Sequence, residues 1–127
     1  MNENDLSEII IECSIKIHKA LGPGLLESVY EKVLAYELQK KGLKAECQVS
    51  IPIRYDNFVF SEGFRADIIV NDSVIVELKS IVDFDNVHFK QLLTYLKLSD
   101  KKLGLLINFN KELLKDGIKR VINGTII

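Results

Sequence analysis

Two segments rich in isoleucine and valine, Arg65-Ala66-Asp67-Ile68-Ile69-Val70 and Val74-Ile75-Val76-Glu77-Leu78-Lys79, flank Asn71-Asp72-Ser73 and carry charged residues inside them. Such composition belongs to strands covered on both faces, where an ionised side chain carries a desolvation cost that needs a reason. If the three-residue turn closes a hairpin, Val70 pairs with Val74. Counting outward then sets Asp67 opposite Glu77 on one face, with Cβ atoms about 5 Å apart. Two carboxylates so placed repel, and they are tolerated if one is protonated, if a cation compensates, or if a divalent metal sits between them. Lys79, two residues beyond Glu77, points to the same face. An acid, an acid and a lysine on one spot are the equipment for metal-assisted attack on a phosphodiester. Everything depends on register, since a two-residue loop would pair Asp67 with Val76 and send the carboxylates to opposite faces. The plainer alternative is a Glu77–Lys79 ion pair on an edge strand, with Asp67 solvated near the turn.

At 127 residues the chain is long enough for one domain with a real core. With 47% hydrophobic and 28% charged residues and two prolines, it has the composition of a soluble globular protein rather than a disordered one. Apolar runs fall short of a membrane span, and the acidic Met1-Asn2-Glu3-Asn4-Asp5 is unlike a signal peptide, so the expected location is cytoplasmic. Cys13 and Cys47, with no CxxC spacing, are expected as reduced core residues, and a zinc site has no support. A net charge of −1 gives no global basic footprint for nucleic acid. Lysines cluster at Lys40-Lys41-Lys44, Lys101-Lys102 and Lys115-Lys119-Arg120, where a solvated charged face is the commoner explanation.

Asp5 with Glu8 resembles a capping box, and Leu6, Ile10, Cys13, Ile17 and Leu21 follow at helical spacing. Gly22-Pro23-Gly24 breaks that helix. A second helix carries the stripe Leu26, Tyr30, Val33 or Leu34, and Leu38, and stops at Lys40-Lys41-Gly42. The period then falls to two. Leu43, Ala45, Cys47, Val49, Ile51 and Ile53 alternate with polar residues in a one-sided strand, and Pro52 argues for an edge or a bulge. Tyr55-Asp56-Asn57 is a turn, Phe58-Val59-Phe60 opens the next strand, and Gly63 marks a bend before Asp67. Asp85 caps a helix burying Phe89, Leu92, Leu93 and Leu96. Leu103 to Phe109 is an apolar strand, Lys111 to Lys115 one helical turn, and Ile118 to Ile122 a last strand. The fold class is therefore α/β or α+β, a single domain with a central mixed sheet flanked by helices.

Asp67, then Glu77-Leu78-Lys79 after a hairpin turn, then a helix with Gln91-Leu92-Leu93-Thr94-Tyr95, resembles the PD-(D/E)XK nuclease superfamily, and the Gln-x-x-x-Tyr element resembles its RecB-like branch. Upstream, Gly24-Leu25-Leu26-Glu27-Ser28-Val29-Tyr30 resembles the signature of the GxxExxY family placed in that superfamily. The resemblance runs from about Ile10 to Asn123 and implies a restriction-endonuclease-like core. It also implies that Asp67, Glu77 and Glu27 ligate a divalent metal, Mg²⁺ or Mn²⁺, and that Lys79 orients or deprotonates the attacking water. Gln91 and Tyr95 would bracket the site or touch the phosphate. Ala66 stands where the superfamily's name has proline, a departure common within it. Independently of family, a hard cation prefers carboxylates, water and phosphate oxygens, in keeping with acids and no histidine or cysteine at the site.

Each residue also has an ordinary reading. Glu27 near a helix start is favoured by the dipole alone. Gln91 and Tyr95 lie on one helix face and could simply pair or pack there. Tyr30 is expected in the core, and His88 is given no role. The preferred function is a metal-dependent nuclease acting on DNA, with a homodimer expected because so small a chain cannot easily surround a duplex. The alternatives are a catalytically silent nucleic-acid-associated or protein-interaction module that keeps the fold, and a purely structural oligomeric domain with an edge strand around Pro52.

Overall fold

The computed structural model describes residues 1–126. Helix α1 (Glu3–Leu21) is capped by Asn2, three residues before the expected cap Asp5. Asn2 Oδ1 accepts from the Asp5 N–H at 2.9 Å and Asp5 Oδ2 accepts from the Asn2 N–H at 3.3 Å, so Asp5 is the returning partner of the box rather than its cap. Leu6, Ile10, Cys13 and Ile17 are buried along one stripe. Gly22, at φ +74°, ends the helix in a conformation that favours glycine.

Helix α2 (Glu27–Lys40) follows a short linker that one aromatic residue fixes. The Tyr30 hydroxyl donates to Gly22 O at 2.6 Å and accepts from the Leu25 N–H at 3.1 Å. Its ring stacks on Phe109 at 4.2 Å, so Tyr30 is a core residue as expected. Leu26 is not on the buried stripe; it is 73% exposed, because it is the residue flanking the helix start and lies outside the helical periodicity.

The sheet has the order β1 (Ala45–Tyr55), β2 (Phe58–Val70), β3 (Val74–Lys79), β4 (Leu103–Asn108), β5 (Ile118–Ile122). Neighbours run antiparallel except β3 and β4, which are parallel and joined through α3 (Asn86–Ser99). Parallel strands need such a crossover, and β4 is buried along its whole length as a strand covered on both faces should be. Helices α1 and α2 pack with Ile68, Val70, Val76, Leu78 and Leu105 on one face. Leu92 and Leu96 of α3 cover Ala66, Ile75 and Leu106 on the other. The architecture is thus single-domain α+β, a mixed sheet between helices, as the sequence indicates. Among the described residues no helix is long and apolar enough to cross a membrane.

Strand β1 is the sheet edge, and its register shifts at Pro52 as anticipated. Ile51 pairs with Phe64 and Ile53 with Phe60, leaving Ser61, Glu62 and Gly63 opposite one proline. Gly63 is required there, since a Cβ would lie 2.0 Å from the Ile53 side chain. A second irregularity was not visible in the alternation. Gln48 takes φ +53° in mid-strand. Leu43 and Ala45 before it join the α1/α2 core, whereas Val49 and Ile51 after it join the α3 core. Cys47 sits at this reversal and is exposed, not a core residue; Cys13 is buried. The single turn expected at Lys111–Lys115 lies further on, a 3₁₀ turn at Leu114–Gly117.

Candidate functional site

The hairpin register is the one the three-residue turn implies, Val70 against Val74, Ile69 against Ile75 and Ile68 against Val76. Asn71 and Asp72 adopt φ +51° and +52°, conformations that Asn and Asp tolerate best after glycine. One step beyond Ile68 and Val76 the backbone ladder stops and side chains replace it. Asp67 Oδ2 accepts from the Leu78 N–H at 2.8 Å, and Glu77 Oε1 accepts from the Asp67 N–H at 3.3 Å. Each carboxylate thus occupies a place where a strand carbonyl would be, which locks the two acids face to face at the point where β2 and β3 part.

Glu77 is only 7% exposed on the central strand of the sheet, so the edge-strand ion pair does not describe it. Burial first, then the charge of Asp67 and a hydrogen bond with it, push the Glu77 carboxyl up to about 9, against the opposing charge of Lys79. Without a cation the pair therefore holds a proton at neutral pH. Lys79 is half-buried at the end of β3, in phase with Glu77, and its carbonyl accepts from the Phe109 N–H at 2.9 Å.

Two further residues join this pair. Gln48 Nε2 donates to Glu31 Oε1 at 2.6 Å and reaches Asp67 Oδ1 at 3.4 Å, which links α2, β1 and β2. Glu31 is buried, and burial together with the Asp67 charge raises its carboxyl above the usual range while the Gln48 hydrogen bond opposes the rise. The sequence pattern passed over Glu31; the available signal was an acid four residues after Glu27 and directly beside the core residue Tyr30. Gln48 had no signal, because its left-handed backbone is imposed by tertiary structure.

Glu27 lies one helical turn before Glu31 and is exposed. Its Oε2 accepts from the Ser80 N–H at 2.9 Å, immediately after Lys79, in an open groove lined by Gly24, Leu25, Leu26, Ser28 and Ser80. Tyr95 of α3 is half-buried, its ring stacked on Phe64 at 3.5 Å, and burial followed by the charges of Glu77 and Asp67 raises its phenol. Gln91, one turn earlier, is exposed. His88 has a structural task, accepting at Nδ1 from the Asp85 N–H at 2.8 Å to close the start of α3. The basic clusters stand elsewhere, with Lys44 paired to Glu46 and Asp72 at the opposite end of the hairpin and Lys40 paired to Glu37.

The acidic side chains here, Asp67, Glu77, Glu31 and Glu27, offer carboxylate oxygens, the donor type that suits a hard divalent cation. Among the described residues no group of three or more His, Cys, Asp or Glu is placed to hold a metal ion, so Glu27 is not gathered with Asp67 and Glu77 into one ligand set. An ion that retains waters and takes only one or two carboxylates plus substrate oxygens fits that arrangement.

A family model described as the PD-(D/E)XK nuclease superfamily matches residues 4–121, from α1 into β5. The chain belongs to this superfamily. PD-(D/E)XK nucleases generally use divalent metals and act on nucleic acid, in keeping with the oxygen donors around Asp67 and Glu77. No curated protein matches the chain, and no solved structure does.

Proposed function

We propose that this PD-(D/E)XK protein is a Mg²⁺- or Mn²⁺-dependent nuclease that hydrolyses phosphodiester bonds in DNA, that it falls within the GxxExxY family, and that it works as a homodimer. The observation that carries the reading is the reciprocal locking of Asp67 and Glu77, a buried acid pair held together where two strands separate. Nothing in strand pairing calls for two facing carboxylates, and a cation between them relieves their repulsion.

Asp67 and Glu77 would hold the metal, with further acids supplied by α2. Glu27 stands at the rim and Glu31, tied to Asp67 through Gln48, borders the site from inside. The bound ion would supply Lewis acidity and a more acidic water. Lys79 orients the attacking water and places positive charge where the phosphorane gathers negative charge. Gln91 and Tyr95 flank the phosphate from α3. The linker pinned by Tyr30 fixes the start of α2 and with it the position of Glu27.

Incubation with linear, circular and single-stranded DNA in Mg²⁺ or Mn²⁺ tests this, beside a Lys79→Ala protein. Cleavage by the wild type alone is expected. Equal cleavage by the variant would reject the assigned site, and binding without cleavage under either metal would mean a silent module on the nuclease fold.

A further inference from the structure

Strands β3 and β4 run side by side as far as Lys79 and Asn108, the last pair in their parallel register. The Phe109 N–H closes this ladder by donating to the Lys79 carbonyl at 2.9 Å. Beyond it the chain leaves the sheet. Ser80 to Asp85, which leads to α3, is neither helix nor strand, and Val82 within it is 78% exposed. A segment so poor in backbone hydrogen bonds opens locally unless something outside the ladder holds it.

Asn108 supplies that hold. Its side chain is fully buried; Nδ2 donates to the Ile81 carbonyl at 2.8 Å and Oδ1 accepts from the Ile81 N–H at 3.1 Å. The amide thus takes the place of a peptide group and carries the strand pairing two residues past Lys79. Oδ1 also accepts from the Asn110 N–H at 3.1 Å, which ties the start of the loop after β4 to the same side chain. A buried amide costs its desolvation unless its bonds are made, and here both ends of it are engaged. Lys79 is therefore gripped on both sides, by Phe109 through its own carbonyl and by Asn108 through Ile81. Asn108 also follows Leu106, the register partner of Glu77, in the same phase, so it belongs to the sheet face of Glu77 and Lys79.

The sheet itself does not need this clamp, because the β3–β4 ladder is complete from Val74 to Lys79 without it. What the clamp adds is restraint on the residues after the ladder, starting where Lys79 ends the strand. The other fastening of the segment, the Lys111–Asp83 ion pair, differs in kind: the Asp83 side chain is 74% exposed, and an ion pair in such a place contributes little.

We propose that Asn108 is a positioning residue for the nuclease reaction: by holding Ile81 it fixes the backbone from which Lys79 reaches the carboxylates. This inference rests on the nuclease reading and adds to it a residue that touches neither metal nor substrate.

Steady-state cleavage of linear DNA in Mn²⁺ by Asn108→Ala tests it, at a temperature where circular dichroism shows the variant folded. Displacing a catalytic group by about 1 Å costs up to about 100-fold, so kcat should fall about 10- to 100-fold with KM unchanged. Asp83→Ala, which frees the exposed part of the segment and leaves the clamp, should keep the wild-type kcat. Acylation of Lys79 by acetic anhydride, read by peptide mass spectrometry, reports on the Lys79 amine without any need of cleavage, and should be several-fold faster in Asn108→Ala. Where the alanine variant does not fold, Asn108→Asp keeps both accepted bonds, loses only the donor to Ile81, and should show part of the same changes. Unchanged kcat in the folded variant, a loss carried by KM, an equal loss in Asp83→Ala, or Lys79 acylation indifferent to Asn108 would overturn the positioning role. No cleavage by the wild type, with Lys79 acylation that still depends on Asn108, would reject the nuclease reading alone.

Discussion

Replacing Glu77 by glutamine should stabilise the metal-free protein while removing its response to metal. The Glu77 carboxyl stands at about 9 in the fold against 4.5 as its ordinary value. A raised carboxyl leaves its stabilising contribution intact below 4.5 and loses it progressively as pH climbs from 4.5 to about 9. At pH 7.5 the unfolded chain has released the proton and the fold still keeps it. The penalty is therefore the interval between 4.5 and 7.5 at about 1.4 kcal/mol per pH unit, about 4 kcal/mol. That figure holds for any folded value well above 7.5. Glutamine keeps the shape, supplies an acceptor for the Asp67 N–H and a donor toward the Asp67 carboxylate, and does not titrate. Imperfect replacement of those bonds costs about 1 kcal/mol, which leaves a net gain of about 2–4 kcal/mol. For a chain of this length that is roughly 8–15 °C in Tm. Thermal unfolding followed by circular dichroism in chelator should show this rise at pH 7.5 and a far smaller difference at pH 4.0, where the carboxyl is protonated in both states. A Glu77→Gln protein no more stable than wild type at pH 7.5, or equally shifted at both pH values, would refute the reasoning.

Tyr30→Phe keeps the stack on Phe109 but strands the Leu25 N–H and the Gly22 carbonyl; it should cost about 1–3 kcal/mol in urea unfolding and lower cleavage by releasing the start of α2. Glu31→Gln should preserve the hydrogen bond to Gln48 yet reduce Mn²⁺ affinity at least tenfold in calorimetry if Glu31 borders the ion, and Glu27→Gln run alongside shows which of the two α2 acids weighs more. Gly63→Val drives a side chain into Ile53 and should lose about 1–3 kcal/mol by chemical denaturation while leaving Mn²⁺ affinity unchanged, since the clash lies at the β1–β2 bulge beside Pro52 rather than at Asp67 and Glu77.

The hairpin was legible because its determinants are local. Asn71 and Asp72 accept left-handed backbone, the valines alternate on either side, and the register of Asp67 against Glu77 follows by counting. Pro52 and Gly63 announced the bulge for similar reasons, one lacking a donor and the other lacking a Cβ. Glu31 was hidden because its partner Gln48 is 17 residues away on another element, and a buried acid beside Tyr30 has no periodicity of its own. The reversal at Gln48 cannot be read from alternation, since the same apolar phase serves the α1/α2 core before it and the α3 core after it. Cys47 was misplaced on that account. Asn2 was overlooked as the α1 cap because Asp5 and Glu8 offer the same spacing, and capping residues three positions apart compete on nearly equal terms.

The most direct test of the acid pair as a metal site is calorimetric titration of Mn²⁺ at pH 7.5 in two buffers of different ionisation enthalpy, using wild type and Glu77→Gln. Since Glu77 holds a proton until a cation displaces it, the wild type should release about one proton per ion bound, and the variant should release none and bind far more weakly. Binding by the wild type without proton release, or equal affinity in the two proteins, would contradict the assignment of Asp67 and Glu77 as the seat of the metal.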